Sequence, residues 1–296
     1  MGVVKGRIAG PRKLLLYGDH GVGKSSFAAS APEPLFLDIE GGTNDLDVAR
    51  WDEPIKTMAS AISVLNWVYT QEHGFRTLII DSADWLERLI FNEIAGRSGV
   101  EAVAEIDYGK GYPQAVPKWE SVLRWLDAIH RERKMMIILL AHAKIERRKN
   151  PEGTEYDCYS PGLYTDKKNE GPGKIVQEWC DEVFFIRKKK IVRTEKEGFG
   201  RERGIAMGSE DREILASETA WASAKNRLNM PTIVDLPRQN AWSVYMQYIQ
   251  ASRPQKPVEI PRQSPSGDIA GVVIDGSSRT RAESPEIKEM AEMFGR

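Results

Sequence analysis

KLLLYGDHGVGKSS, residues 13–26, decides the fold. Residues 13–17 form an apolar run of strand length, and the segment from Lys24 to Ala31 has helical character. Between them Gly18, Gly23, Lys24 and Ser25 fit the pattern G-x-x-x-x-G-K-[ST] in the required strand-to-helix context. Chance produces those four positions in roughly one chain of this length in a hundred, so coincidence is a weak explanation. Glycines at 18, 21 and 23 allow a tight turn in which successive N–H groups converge, and the following helix adds the positive end of its dipole. Such a cradle takes phosphate oxygens. Gly18, Asp19, His20, Gly21, Val22, Gly23, Lys24, Ser25 and Ser26 are therefore expected to wrap ATP. Lys24 would lie on the β- and γ-phosphates and the Ser25 hydroxyl on Mg²⁺.

Outward from this loop, short apolar runs alternate with helical stripes. Residues 34–39 (PLFLDI), 77–81 (TLIID) and 135–140 (MMIILL) read as strands. Ile55, Ala59, Ile62, Leu65 and Tyr69 share one helical face; Trp85, Leu86, Leu89, Ile90 and Ile94 mark a second helix, and Trp119, Val122, Leu123, Leu126 and Ile129 a third. That alternation predicts an α/β fold with a mostly parallel, doubly wound sheet. Asp81 closes its strand where a second Mg²⁺ oxygen is needed. Glu40 closes the 34–39 strand at the sheet edge where such folds bind ligands, with Asp38 two residues earlier, and it is the candidate to orient or deprotonate an attacking water.

After residue 181 the pattern becomes DEVFFI, KKIVR, GIAMG, EILAS and AWASA, strand-like runs that predict an antiparallel C-terminal extension, closed by a helix over 241–250. Residues 251–284 are rich in Pro, Ser and Gly and read as a disordered linker. Residues 285–296 space Ile287, Met290 and Phe294 as a short amphipathic segment.

Lys and Arg total 42 against 43 Asp and Glu, a net charge of −1, which argues against a basic coating protein. Any nucleic-acid affinity must come from local clusters. Cys158 and Cys180 make no metal-binding spacing with the four histidines. No apolar stretch reaches the roughly 18 residues of a membrane span, so a soluble cytoplasmic protein with no membrane partner is expected.

The stretches GDHGVGKSSFAASAP, PLFLDIEGGT, TLIIDSADWLE, IILLAHAKI and AKNRLNMP, in that order, resemble the RecA-like recombinase core of P-loop ATPases, closest to the phage single-strand annealing ATPases. The resemblance covers about residues 10–235 of an ATPase core expected over 1–250, and it places the protein in the host cytoplasm if phage-encoded. It implies that Glu40 is the catalytic glutamate and that His142, where RecA has glutamine, senses the γ-phosphate. It further implies that Lys225 and Arg227 reach the ATP of an adjacent subunit in a ring or filament. Two connections stand where such proteins place DNA loops. The first, about 99–118, carries Tyr108, Lys110 and Tyr112; the second, about 144–176, is expected to be one long loop carrying Arg147, Arg148, Lys149, Lys167, Lys168 and Lys174. Rings stack on bases and cations meet phosphates.

The resulting expectation is an ATP-dependent single-stranded-DNA-binding protein that promotes annealing or strand pairing with DNA-stimulated hydrolysis. Its C-terminal segment would dock on a partner such as a single-strand-binding protein. Three other classes fit the same phosphate loop: a small-molecule kinase with 144–176 as its lid, a ring helicase, and a nucleotide-dependent scaffold.

Overall fold

Strands arise where the chain can bury both of its faces. In β1 (Lys13–Gly18), Leu14 and Leu16 enter one core while Leu15 and Tyr17 enter the other. A strand dry on both sides reads as a continuous apolar run. The same double burial recurs in β2 (Pro34–Asp38), β4 (Thr77–Asp81) and β5 (Met136–Arg148). The computed structural model describes residues 10–168, 170–197 and 201–252, with the side chains of 190–209 excepted.

These strands join β3 (Ala49–Arg50), β7 (Glu182–Glu197), β8 (Arg201–Leu215) and β9 (Ile233–Leu236) in the order β3-β2-β4-β5-β1-β7-β8-β9, and β6 (Tyr156–Pro161) pairs with the far end of β5. Neighbours from β3 to β7 are parallel. The β5–β6, β7–β8 and β8–β9 pairs are antiparallel. Helices α2 (Met58–Thr70), α3 (Ala83–Arg97), α4 (Ala115–Glu132) and α5 (Pro172–Trp179) cover one face, and α1 (Lys24–Ala29) with α6 (Ala241–Ser252) covers the other. The fold is therefore the expected doubly wound α/β sheet with an antiparallel C-terminal side. Local chemistry sets the helix ends: Thr57 and Ser60 exchange side-chain and backbone bonds at 3.1 Å to start α2, a capping box with serine at its third position.

Several sequence expectations need correction. The 144–176 connection is not one loop. β5 continues to Arg148, turns, and pairs antiparallel with β6 before α5 begins. The reason is that Lys144, Glu146 and Arg148 alternate along a strand whose inner side is polar, a pattern that hydrophobic periodicity does not register. DEVFFI from Glu182 onward and KKIVR are one strand, β7, and GIAMG and the first three residues of EILAS fall within β8; AWASA makes only isolated bridges, of Ala222 with Tyr159 and with Thr219. Backbone pairing holds through polar stretches because the ladder is made by main-chain groups. The 99–118 loop ends at residue 114, as three single 3₁₀ turns followed by α4. β2 stops at Asp38, so Glu40 lies in the turn after it. The 241–250 helix is present as α6 and runs to Ser252. Residues 253–296, with nearly all of the expected linker and the whole terminal segment, lie outside the described residues. No helix among the described residues is long and apolar enough to cross a membrane.

Candidate active site

The phosphate loop joins the C-terminal end of β1 to α1. Gly21 and Gly23 adopt φ of 69° and 96°, values that suit glycine because it lacks a Cβ. At Gly18 a Cβ would strike the Ile186 carbonyl of the adjacent β7. Lys24 is buried, and its Nζ donates to the Gly18 and Asp19 carbonyls, each at 3.0 Å. Burial lowers the Lys24 pKa, opposed by the nearby carboxylates of Asp81, Asp84 and Glu40. The amine is thus tied to the loop that it serves.

Ser25 Oγ donates to Asp81 Oδ2 at 2.7 Å. Burial pushes the Asp81 carboxyl up to about 6; the Ser25 hydroxyl and Lys24 oppose this, while Asp38 and Glu40 add to it. A hydroxyl and a carboxylate converging beside the phosphate loop are hard oxygen donors suited to Mg²⁺. Ser25 and Asp81 would hold the ion, which when bound supplies positive charge against phosphate oxygens.

Glu40 is placed by main-chain bonds. The Ile39 and Glu40 N–H groups both donate to the Asp81 carbonyl, at 2.8 and 3.2 Å. Asp38 shapes the turn that follows by accepting from the N–H groups of Gly41 at 2.7 Å and Thr43 at 3.0 Å. Asp38 is therefore occupied with the loop, and Glu40 faces the site. Glu40 Oε2 accepts from Ser82 Oγ at 3.4 Å, and its Oε1 stands 3.7 Å from His142 Nε2. His142 is in register with Gly18, one strand over. Asp84, in the first turn of α3, accepts from the His142 N–H at 3.0 Å and from its Nδ1 at 2.8 Å. The His20 ring stacks on His142 with centroids 3.8 Å apart. The sequence reading missed Asp84, although a second carboxylate three residues after Asp81 was a visible signal. It also missed Arg212 of β8, whose guanidinium lies against Gly23 and donates to the Arg238 carbonyl at 3.2 Å. No local motif marks Arg212.

Lys225 and Arg227 are not brought to this loop. Val183, which bridges to Lys225, is in register with Leu15, three residues before Gly18. Lys225 Nζ donates to the carbonyls of Gln177, Glu178 and Cys180 at 3.2, 3.0 and 2.6 Å, a cation at the negative end of α5. Arg227 Nη1 pairs with Asp181 at 2.9 Å and leaves 57% of its side chain exposed.

The candidate DNA residues divide into two groups. Arg148 bonds to Glu218 at 3.0 Å and to Ser160 and Ser223 at 3.4 and 3.2 Å, bracing the β5–β6 hairpin. Arg147 pairs with Glu155 at 3.1 Å, and Lys174 with Glu170 at 2.7 Å. Lys149, Lys167 and Lys168 are exposed. Tyr112 stacks on Tyr164 at 4.5 Å and 10°, with Phe91 edge-on at 5.5 Å, so the two connections touch through an aromatic cluster. Tyr108 is 95% exposed, and the Lys110 ammonium lies 5.6 Å from its ring centre.

Among solved structures a similar chain is the crystal structure of the RadB recombinase, at 14% identity and a TM-score of 0.36, covering 68% of this chain and 89% of that one. No curated protein matches. Residues 10–228, well over half of the chain, match the family model described as an AAA domain. That span holds the phosphate loop, Asp81, Glu40 and His142, and with it the chain belongs to the AAA domain family of ATPases.

Proposed function

We propose that this ATPase binds single-stranded DNA and promotes annealing or strand pairing, with hydrolysis stimulated by DNA. The observation that carries the reading is the Tyr112–Tyr164 stack, which joins the two candidate DNA loops. It leaves Tyr108 free to stack on a base, with Lys110 beside it for a phosphate. The exposed Lys149, Lys167 and Lys168 extend the cationic surface. Affinity of this kind is tolerant of sequence and sensitive to salt.

Helix α3 gives a route between nucleotide and DNA. Its Asp84 holds His142, and one turn on its Glu87 accepts from the Tyr164 N–H at 2.8 Å and from Trp119 Nε1 at 3.2 Å. Residues three apart share a helix face, so a change at His142 reaches Tyr164 through one rigid element. In hydrolysis Glu40 takes a proton from water as the water oxygen attacks the γ-phosphorus and the bond to the bridging oxygen breaks. His142 reports the γ-phosphate. Lys225 and Arg227, remote from their own phosphate loop, complete the site of the next subunit in a ring or filament. Residues 285–296 recruit a single-strand-binding protein.

The test is phosphate release with and without single-stranded DNA, alongside electron microscopy of the assembled species. DNA that binds and raises turnover at least severalfold is expected. Absence of both binding and stimulation overturns the proposal, and a phosphorylated small-molecule acceptor would assign a kinase instead.

A further inference from the structure

His20, Glu40 and His142 each present one ligand atom, and those three atoms all lie within 4.8 Å of one another. They arrive from three elements at the same sheet edge: the phosphate loop, the turn after β2, and β5. His142 Nδ1 meets a carboxylate oxygen of Asp84 at 2.8 Å. A carboxylate can only accept, so Nδ1 carries the proton, and in the neutral ring Nε2 then presents its lone pair. That lone pair faces Glu40 Oε1 at 3.7 Å. Two acceptors that face each other at this distance lack a shared hydrogen bond, and a cation between them turns repulsion into attraction.

The donor types point to the class of cation, and the one close pair has a compatible spacing. Two ligands each about 2.1 Å from a tetrahedral ion stand about 3.4 Å apart, close to the observed 3.7 Å. Imidazole nitrogens with one carboxylate suit ions of the zinc class, whereas the oxygen pair of Ser25 and Asp81 suits Mg²⁺. Asp84 supplies an independent indication. A carboxylate that fixes the outer nitrogen of a ligating histidine is the usual support for a metal-bound imidazole. We infer that His20, Glu40 and His142 form a second cation site, selective for divalent transition metals, beside the Mg²⁺-nucleotide site, the exposed His20 ring turning out of its 3.8 Å stack on His142 to aim a nitrogen at the ion. An ion held there occupies Glu40 Oε1. If Glu40 activates water as proposed above, such an ion also blocks hydrolysis; the site itself does not depend on that role.

The test is titration of the nucleotide-free full-length chain with Co²⁺ in excess Mg²⁺, read by visible absorption. One equivalent should produce ligand-field bands that Mg²⁺ does not displace. His142→Ala should abolish them, and His20→Ala should weaken binding at least tenfold. Asp84→Asn should weaken it by about 10- to 100-fold, because the tautomer is no longer enforced. His20 is exposed on its loop, so its variant tests the site without threatening the core, and circular dichroism checks the fold of the others. Bands that are absent in wild type, or equal uptake by wild type and the His20→Ala/His142→Ala double variant, overturn the inference. DNA-stimulated turnover plays no part in this readout, so either proposal can fail while the other stands.

Discussion

The phosphate loop, level with the middle of β5, and the β5–β6 hairpin at the end of that strand handle charge in opposite ways. At the phosphate loop, Lys24 and Asp81 are both buried among groups of this chain, and burial works against the charged form of each. On the proposed reading, a nucleotide's phosphates at Lys24 and Mg²⁺ at Asp81 would complete the arrangement. Along the β5–β6 hairpin, Arg147 and Arg148 are matched within the chain by Glu155 and Glu218. Those cations need no ligand. The difference teaches that a basic residue is informative about binding according to whether its own chain already satisfies it, and not according to how many neighbours share its sign.

The largest test of that contrast lies at the nucleotide. Lys24→Ala should cut ATP turnover by about 10²- to 10³-fold, the scale of losing one donor aimed at developing charge. Glu40→Gln should cost about 10²- to 10⁴-fold while leaving nucleotide binding within a few fold, as a lost general base would. Phosphate release together with fluorescent-ATP binding separates the two. Equal loss of binding in Glu40→Gln would remove Glu40 from the chemical step.

Lys225→Ala combined with Arg227→Ala should also reduce turnover by about 10²-fold, if these cations serve a neighbouring site. Mixing that variant with Lys24→Ala subunits should then restore activity, since some interfaces combine an intact phosphate loop with intact cations. Mixtures no more active than their components would confine Lys225 to capping α5.

Glu87 extends the comparison into the core. Burial pushes its carboxyl up to about 7, opposed by its bonds from Tyr164 and Trp119. A folded pKa above the unfolded one means that folding favours the protonated form. Its stability contribution is fully present below about pH 4.5 and is lost as pH rises to about 7, amounting to about 3 kcal/mol. Glu87→Gln should flatten the decline in unfolding free energy across that window, measured by urea denaturation at several pH values. An unchanged slope would mean that Glu87 does not titrate there.

The smallest effects divide the DNA candidates. Tyr108→Ala should weaken single-stranded DNA binding by about 1–3 kcal/mol and leave stability unchanged, because the ring is exposed. Arg148→Ala should do the reverse, lowering stability by about 1–3 kcal/mol through the partners it leaves unpaired, with DNA affinity within about twofold. Fluorescence anisotropy and thermal melting read both variants. A reversal of the two results would show that the hairpin is the DNA surface and its ion pairs are incidental.

Much of the nucleotide site was legible because its chemistry is local. The spacing from Gly18 to Ser25 dictates a loop whose backbone encloses phosphate, and an apolar run ending in Asp81 dictates a buried strand with its carboxylate at the rim. Asp84 escaped notice because its role exists only once β5 lies beside β4 and brings His142 to it. Arg212 reaches Gly23 from β8 across β7, and no sequence neighbour announces that approach.

The β5–β6 hairpin escaped for a different reason. Its inward side is polar, and its ladder is made of backbone groups that are common to every residue. By itself, then, the sequence determined the strand and helix order of the parallel core and the identity of the phosphate loop, because periodicity and glycine spacing act over a few residues. Only the tertiary structure decided which charges are satisfied and which histidines meet, because those depend on pairings between strands far apart in the chain.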